Sequence, residues 1–452
     1  MGDRPSRRRR DPAGVVGPAE QVPAQPAGPA LTHGGRSVTD GWSREPHREP
    51  QRYLSRAEER RMREAAERKG KGKGRFVVAL AGLIVLALLA GFGYVGAKKF
   101  LGNDAPADFA DGEAGPEVVV VVQSGDTASQ IGEQMAEKGV VASSAAFYNA
   151  AIGNSAMSSV QPGYYHIQSK LPASGAVTAI VDPNSRVGSV VISEGRQLHD
   201  TRDVTTGATK RGIYTLISQA SCLPSAGGLP KCISVADLET AGASPDLAGL
   251  GVPDWAAAQV RGVPDRNRQL EGLIAAGSWD FDPASTPTEI LRTLVSGSAA
   301  KYEATGIRTA GTGVALNPYQ VLIAASLVER ESLPSDFGKV ARVIINRLAV
   351  PQKLEFDSTV NYALSTTEVA TTDADRARVT PWNTYAKEGL PATPISSPSI
   401  GAVQAVETAP PGDWLYFVTI DKQGTTLFTK SYDEHLQNIK KAQGSGILDS
   451  GR

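Results

Sequence analysis

Two glutamates near the end of one predicted helix are the residues of this chain best placed for acid–base chemistry. Asn317-Pro318 predicts a helix start, since Asn caps free amide donors and Pro fits the first turn, and Pro334 forbids continuation. Glu329 and Glu331 therefore fall in the last turn, where unpaired carbonyls carry about half a negative charge. Such an environment raises the pKa of a carboxyl group and suits a general acid.

The two glutamates cannot serve the same site, because side chains two positions apart on a helix point about 200° away from one another. The residues that share their faces are Ala324, Leu327 and Val328 for Glu331, and Leu322, Ala325 and Ser326 for Glu329. The first face is the better buried, so the pattern favours Glu331 as the acid. Two solvated glutamates at a helix end are the alternative interpretation.

The segments that follow are expected to position further polar residues. Ser335 and Asp336 are typical caps of a second helix, and its inward residues are predicted to be Val340, Ile344 and Leu348. Residues 354–357 then extend the chain and present an acid, Asp357, before residues 360–364 turn back.

The distribution of charge indicates that these segments lie outside a membrane. The 452 residues hold 47 basic and 47 acidic residues, but residues 1–75 carry 18 basic and 10 acidic ones, so this part is positive and the rest is negative. Phe76 to Ala97 carry no charge and span roughly 33 Å as a helix, the thickness of a bilayer core. Nine Lys or Arg at 56–75 against two at 98–117 keep the amino terminus in the cytoplasm. We expect a single-pass protein of the plasma membrane whose remaining residues are extracytoplasmic.

Residues 1–75 predict a disordered basic cytoplasmic arm that ends in a juxtamembrane helix. In that helix Glu59 precedes Arg63 and Glu64 precedes Arg68 at the stabilising spacing of four. Basic residues beside a membrane favour anionic headgroups over nucleic acid, so no nucleic-acid partner is expected. The predicted transmembrane helix (76–97) is followed by an acidic linker at 98–116.

The only two cysteines, Cys222 and Cys232, flank a loop rich in Gly and Pro. In an oxidising exterior this arrangement favours a disulfide, a local staple of about 3 kcal/mol or less. A zinc site lacks ligands, because none of the five His residues is suitably spaced. No metal or cofactor is therefore expected.

Residues 117–185 predict a strand, two helices and a second strand, with a Ser-Gly-Asp turn after the first strand. This order resembles a LysM-like glycan-binding module, and a small packing domain without a sugar site is the alternative. Strands and helices remain mixed after Arg186, where 190–192 predict a strand, and 414–420 with 426–429 predict a hairpin. The expected fold class is α+β.

The polar segments carry a resemblance to a known family. The segment ASLVERES…VARVIINRL…LEFDSTVNYAL, with the later WNTYAKEGLPATPISSPS and DWLYFVTIDKQGTTLFTKSYDEH, closely resembles the YceG-like family of endolytic murein transglycosylases, also called MltG. The resemblance covers roughly residues 188–439 and is strongest after Asn317. It implies a YceG-like catalytic domain at 186–443 and leaves a flexible tail at 444–452.

The resemblance implies cleavage of the β-1,4 bond between N-acetylmuramic acid and N-acetylglucosamine in peptidoglycan, leaving a 1,6-anhydro end. The family's catalytic acid is the second Glu of a Glu-Lys/Arg-Glu motif, which is Glu331 here. It would protonate the leaving oxygen and then accept the proton of the sugar's own 6-hydroxyl, without a metal or cofactor. A tethered enzyme of this kind is expected to terminate nascent glycan strands beside peptidoglycan synthases (penicillin-binding proteins).

Other residues in the matching segments are candidates for binding sugar hydroxyls or N-acetyl groups. These substrate-binding candidates are Glu329, Asn346, Asp357, Asn383, Thr384 and Tyr385. Each has a structural alternative, such as a helix or turn cap for Asn346 and Asp357. The chain departs from the family between Leu270 and Phe281, where it reads LEGLIAAGSWDF and members often have an EGxxxPDTY-like stretch.

Two other functions fit the same residues. One is a non-catalytic scaffold that binds peptidoglycan or recruits a synthase through the LysM-like module. The other is a hydrolase that uses Glu331 as acid and Asp357 as base, which would leave reducing ends.

Overall fold

The computed structural model describes residues 105–112, 114–203, 206–224, 229–310, 314–364, 366–367 and 371–446. The predicted arm (1–75) and the predicted span (76–97) lie outside the described residues, as do the start of the linker (98–104) and most of the tail (447–452). Within the described ranges, no helix combines the length and the apolar character needed to cross a membrane.

The amino-terminal part of the described chain is a three-stranded antiparallel sheet with three helices. The elements are β1 (Glu117–Val122), α1 (Ala128–Glu137), α2 (Ser144–Ile152), β2 (Gly163–Gln168), α3 (Ala173–Val181) and β3 (Arg186–Val187). The strands lie in the order β1-β2-β3, and Val120 faces Tyr165 across the first pair. The β-α-α-β order expected from the sequence is present, and α3 and β3 extend it.

This part has a hydrophobic core of its own. Alternation along β1 directs Val120 and Val122 inward, where they join Met135 of α1, Phe147 of α2 and Ile180 of α3. A capping box between Thr127 and Gln130 sets the start of α1.

The larger part of the chain, from Ser189 onward, mixes helices with small sheets. Its strands are β4 (Ser189–Ile192), β5 (Thr201–Asp203), β6 (Thr209–Lys210), β7 (Gly277–Asp280), β8 (Thr366–Thr367), β9 (Tyr416–Thr419) and β10 (Thr426–Thr429). Its helices are α4 (Ile213–Ala220), α5 (Val235–Gly242), α6 (Asp254–Arg261), α7 (Pro287–Glu303), α8 (Ile307–Ala310), α9 (Pro318–Glu331), α10 (Phe337–Ala349), α11 (Asp357–Leu364), α12 (Asp373–Ala377), α13 (Ile400–Glu407) and α14 (Tyr432–Ser445). The predicted α+β class is confirmed.

Three separate sheets build this part: β4 pairs with β7, β5 lies between β6 and β8, and β9 pairs with β10 as a hairpin. The hairpin agrees with its predicted position. The β4–β7 pair gives a structural use to the stretch that departs from the family, because Trp279 of β7 is buried opposite Val190.

Helix α9 is the centre of the second core. Asn317 caps it through Gln320 in a capping box, and Pro318 occupies the first turn, as predicted. All residues from Val321 to Val328 are buried, so both faces of the helix are covered. The helix packs against α10 and α13 and ends at Glu331, after which Ser332 is extended.

Two local predictions around the next helix were wrong. Asp336 precedes α10 but makes no side-chain capping bond, because residues 334–336 form a short 3₁₀ turn and Asp336 takes helical backbone angles. Asp357 does not end an extended segment; it begins helix α11, which continues through residues 360–364.

Candidate active site

Glu331 is the last residue of α9 and is only partly exposed. The chain leaves the helix directly afterwards, and the Ser332 hydroxyl donates to the carbonyl oxygen of Val328 at 3.0 Å. The side chain therefore projects from a helix whose axis is fixed by burial along its whole length. Glu331 lies at the carboxyl end of that helix, where negative charge is disfavoured.

Burial raises the pKa of the Glu331 carboxyl group, and the negative charge of Asp357 raises it further. Ser358 and the positive charge of Arg330 act in the opposite direction. Burial outweighs these opposing influences, so the net change in the pKa of Glu331 is upward. A carboxyl group in these surroundings retains its proton above the usual range, as a general acid must.

Glu329 has a different environment although it stands only two residues away. Its Oε2 atom accepts a hydrogen bond from the Ser399 amide at 3.0 Å and another from the Ser399 hydroxyl at 2.6 Å. Ser399 in turn caps α13 by accepting a bond from the amide of Ala402. Glu329 thus fastens the end of α9 to the start of α13.

Asp357 is the centre of a polar cluster beside Glu331. Its carboxylate accepts bonds from Thr371 Oγ1 at 2.6 Å and from the Tyr385 hydroxyl at 3.0 Å, and it forms an ion pair with Arg376 at 3.1 Å. Burial and the charge of Asp357 raise the pKa of Tyr385, so its hydroxyl stays protonated. Asp357 and Tyr385 are the predicted site residues that the structure brings together with Glu331.

Asn383 and Thr384 lie inside the protein, with 1% and 0% of their surfaces exposed. The Asn383 amide donates to the carbonyls of residues 375, 376 and 378, and its oxygen accepts from the Tyr385 amide at 2.8 Å. Thr384 Oγ1 accepts from the amide of Phe356 at 3.0 Å. Both side chains are engaged within the protein, where they position the segments that carry Asp357 and Tyr385.

The side chain of Asn346 holds α10 to a neighbouring segment of the chain. Its amide donates to the carbonyls of Gly412 and Trp414 at 3.1 and 2.9 Å, which joins α10 to the segment before β9. The neighbouring Arg347 is buried, donates to the carbonyl of Leu415 at 2.6 Å and lies over the ring of Tyr416. These two residues fix the hairpin against the helix.

A cleft of about 200 Å³ begins immediately after Glu331. Ser332 and Leu333 form one wall, and the hairpin supplies the other. The lining residues of the hairpin are Thr419, Asp421, Lys422, Gln423, Gly424 and Thr426. A cleft with this many polar side chains offers donors and acceptors that suit the hydroxyl groups of a sugar.

Sequence reasoning missed three contributors to this site: Ser358, Thr371 and Arg376. Ser358 follows Asp357 directly, and its position in the first turn of α11 could have been found had that helix been recognised. Thr371 and Arg376 reach Asp357 from 14 and 19 residues away in the chain. No local pattern marks such a contact.

Cys222 and Cys232 form a disulfide that closes a loop at the end of α4. The two sulfur atoms lie beside the backbone carbonyls of Ser218 and Pro230, in the same region of the chain. In the described part of the chain, no group of three or more His, Cys, Asp or Glu side chains is arranged to hold a metal ion.

Glu271 is a second buried carboxyl group, in the stretch that departs from the family. It is 1% exposed, accepts from the Leu198 amide at 3.2 Å and from the Tyr362 hydroxyl at 3.1 Å. Burial raises its pKa to about 7. Its two hydrogen bonds connect the segment between β4 and β5 to Tyr362 of α11, on whose ring Arg268 stacks.

Most of this chain matches a known protein family. Residues 120–441 match the YceG-like family along their whole length. This chain belongs to the YceG-like family. The match includes both described parts of the chain, so the amino-terminal sheet is a portion of this YceG-like protein and not an unrelated addition.

Two relatives of this YceG-like chain are named endolytic murein transglycosylase. It is 29% identical to the endolytic murein transglycosylase of Bacillus subtilis (strain 168) over 168 residues, which cover 37% of this chain and 46% of that protein. It is 23% identical to the endolytic murein transglycosylase of Streptococcus pneumoniae serotype 2 over 401 residues, which cover 82% and 66%. The chain thus spans about half to two thirds of the length of the curated relatives it matches.

A crystal structure of a YceG-like protein from Listeria monocytogenes superposes with a TM-score of 0.45 at 21% identity. The superposition covers 71% of this chain and 98% of the other.

Proposed function

We propose that this YceG-like protein is an endolytic peptidoglycan lytic transglycosylase that cleaves the β-1,4 bond after N-acetylmuramic acid. The observation that carries the proposal is Glu331, a partly buried glutamate with a raised pKa that directly precedes two residues lining a cleft, Ser332 and Leu333. Membership of the YceG-like family and relatives named endolytic murein transglycosylase support it.

The proposed reaction needs one acid and no water. Protonated Glu331 donates its proton to the glycosidic oxygen, the bond from that oxygen to the anomeric carbon breaks, and N-acetylglucosamine leaves with a free hydroxyl. The 6-hydroxyl of the muramyl sugar then attacks its own anomeric carbon and returns its proton to Glu331. The products together have the mass of the substrate, and the muramyl end is a 1,6-anhydro ring.

Asp357 has the surroundings of a positioning residue in this scheme. Its carboxylate accepts hydrogen bonds from Thr371, Arg376 and Tyr385, which fix its orientation and occupy acceptor positions that a water molecule would need. A hydrolase would need such a second carboxylate to activate water. The fixed contacts of Asp357 therefore favour the transglycosylase over the hydrolase, which is the second candidate.

The direct test is the mass of the products. The purified full-length chain incubated with nascent glycan should release anhydromuramyl ends, and Glu331→Gln should release none above background. A hydrolase would give products heavier by one water. Release of anhydromuramyl ends by Glu331→Gln at the parent's rate would refute the assignment, and binding without cleavage by both proteins would support the scaffold function.

We further propose that residues 117–185 form a LysM-like module that holds the glycan strand. The sheet and its two connecting helices have the required order, and they enclose a core separate from that of the larger part. A variant in which the glycan contacts of this module are removed is expected to lose binding to glycan strands. It should still cleave short soluble glycans.

The predicted membrane anchor completes the proposal. A tether at residues 76–97 keeps the enzyme within reach of strands that leave a synthase, so we expect it to terminate nascent glycan elongation beside penicillin-binding proteins. A cysteine introduced by Ser55→Cys should resist an impermeant maleimide in whole cells, while Ser174→Cys should react. Reaction of both positions, or of neither, would contradict a single span with a cytoplasmic amino terminus.

A further inference from the structure

Four positively charged side chains line a second, smaller cleft beside the end of α9. They are Arg196, Lys210, Arg211 and Arg330, and we refer to them as the cationic cleft. Arg330 stands between Glu329 and Glu331 in the sequence, and its side chain lies over the turn at Gly195. The cleft and the candidate acid are therefore on the same helix end.

The hydrogen bonds of Arg196 and Arg211 are with neutral acceptors. Arg196 donates to the Ser193 hydroxyl and to the carbonyl of Arg211, and Arg211 donates to the side chain of Gln219. Among the residues that the structure describes, none of the four forms an ion pair within 4 Å. The Nε atom of Arg330 is buried and has no acceptor.

Two carboxylates near this cleft, those of Asp200 and Glu239, are engaged with other groups. Asp200 accepts from the Gly212 amide at 2.6 Å and from the Thr215 hydroxyl at 2.7 Å. Glu239 faces His199 at 3.7 Å. The charge of Arg330 acts on Glu331, but no acid among the described residues forms an ion pair within 4 Å with any of the four cations.

The neighbouring positive charges affect the pKa of Lys210. Burial lowers its pKa to about 8, and the charges of Arg330 and Arg196 contribute to that change. Cations that repel one another at close range, with one buried donor left unpaired, are stabilised when an anion enters between them. Arginine side chains in such a site hold carboxylate oxygens through paired hydrogen bonds.

We propose that the cationic cleft binds a carboxylate of the peptide that the glycan substrate carries. The proposal rests on the function proposed above, because the peptide is attached to the muramyl sugar whose bond is cleaved. A carboxylate held by Arg330 would place that sugar at the end of α9, next to Glu331. The cleft would thereby select glycan that bears free peptide over bare glycan.

The test is a binding measurement with the full-length Glu331→Gln protein, which does not consume the substrate. Three glycans of equal length serve as probes: one with peptides, one with the peptide carboxylates amidated, and one stripped of peptides. The peptide-bearing glycan is expected to bind about tenfold more tightly than either of the others. Adding Lys210→Gln should remove most of this preference.

Lys440→Gln is the matched control, since it removes the same charge from an exposed position on α14. It should leave the preference intact. Equal affinity for all three glycans in the Glu331→Gln protein would overturn the proposal. Equal affinity for the amidated and the unmodified peptide-bearing glycans would also overturn it, because the preference would then not depend on the carboxylate. Because no cleavage is measured, these outcomes are distinct from a failure of Glu331 as the acid.

Discussion

Tyr385 donates a hydrogen bond to Asp357 at 3.0 Å, and the same carboxylate raises the pKa of Glu331. The donors hold the carboxylate of Asp357 in place, and its negative charge acts on Glu331. Two carboxyl groups with separate environments have separate tasks, which is the arrangement that acid catalysis requires.

The pH dependence of cleavage should report this relationship. Glu331 must be protonated to act, so kcat/KM is expected to fall as the pH rises through its raised pKa. Asp357→Asn removes a negative charge that helps to raise the pKa of Glu331. The decrease of kcat/KM with pH should therefore begin at a lower pH. Tyr385→Phe is the control, because it leaves the charge of Asp357 in place and should leave the decrease near its original pH. If kcat/KM of Asp357→Asn decreases over the same pH range as in the parent, the two carboxyl groups do not interact.

Glu329 should matter for stability more than for chemistry. Glu329→Ala removes the acceptor of both Ser399 donors, and we expect the free energy of unfolding to fall by about 1–3 kcal/mol in denaturant titrations. Glu329→Gln keeps an acceptor oxygen and should cost less. Both variants should release anhydromuramyl products. Loss of cleavage in a Glu329→Gln protein of normal stability would instead place Glu329 in the reaction.

Glu271 should give the stability of the protein a dependence on pH. Its pKa is about 7 in the folded protein against 4.5 in the unfolded chain, so only the unfolded state ionises between these values. The contribution of Glu271 to the free energy of unfolding is therefore greatest below pH 4.5 and declines by about 3 kcal/mol until about pH 7. Glu271→Gln should remove the decline, as thermal or denaturant unfolding at several pH values would measure. The exposed Glu133→Gln is the control, and an equal effect there would argue against Glu271 as the source.

The disulfide should contribute to stability without affecting cleavage. The bond between Cys222 and Cys232 spans 10 positions, and closing so short a loop stabilises the folded state by about 3 kcal/mol or less. The double variant Cys222→Ser with Cys232→Ser should lower the unfolding temperature and keep the parent's kcat. A large fall in kcat at a temperature where the variant is folded would contradict a purely structural bond.

Local sequence determined the position of Glu331. The Asn-Pro start of α9, its aliphatic run and the proline that follows are short-range signals, and together they place this glutamate in the last turn before any packing is considered. The same kind of signal located β1, β4 and the β9–β10 hairpin. Charge along the chain also predicts a membrane span, and that span lies outside the described residues.

Tertiary packing decided which of the candidate residues reach the site. Asn383 and Thr384 have the polar side chains of sugar ligands, but contacts with carbonyls and hydroxyls distant in sequence draw them into the core. Thr371 and Arg376 carry no motif, yet the fold brings both to Asp357. The cationic cleft likewise joins Arg196, Lys210 and Arg330 from three separate segments. Burial and charge at a given atom depend on neighbours that only the folded chain assembles, so sequence spacing could name the acid but not its surroundings.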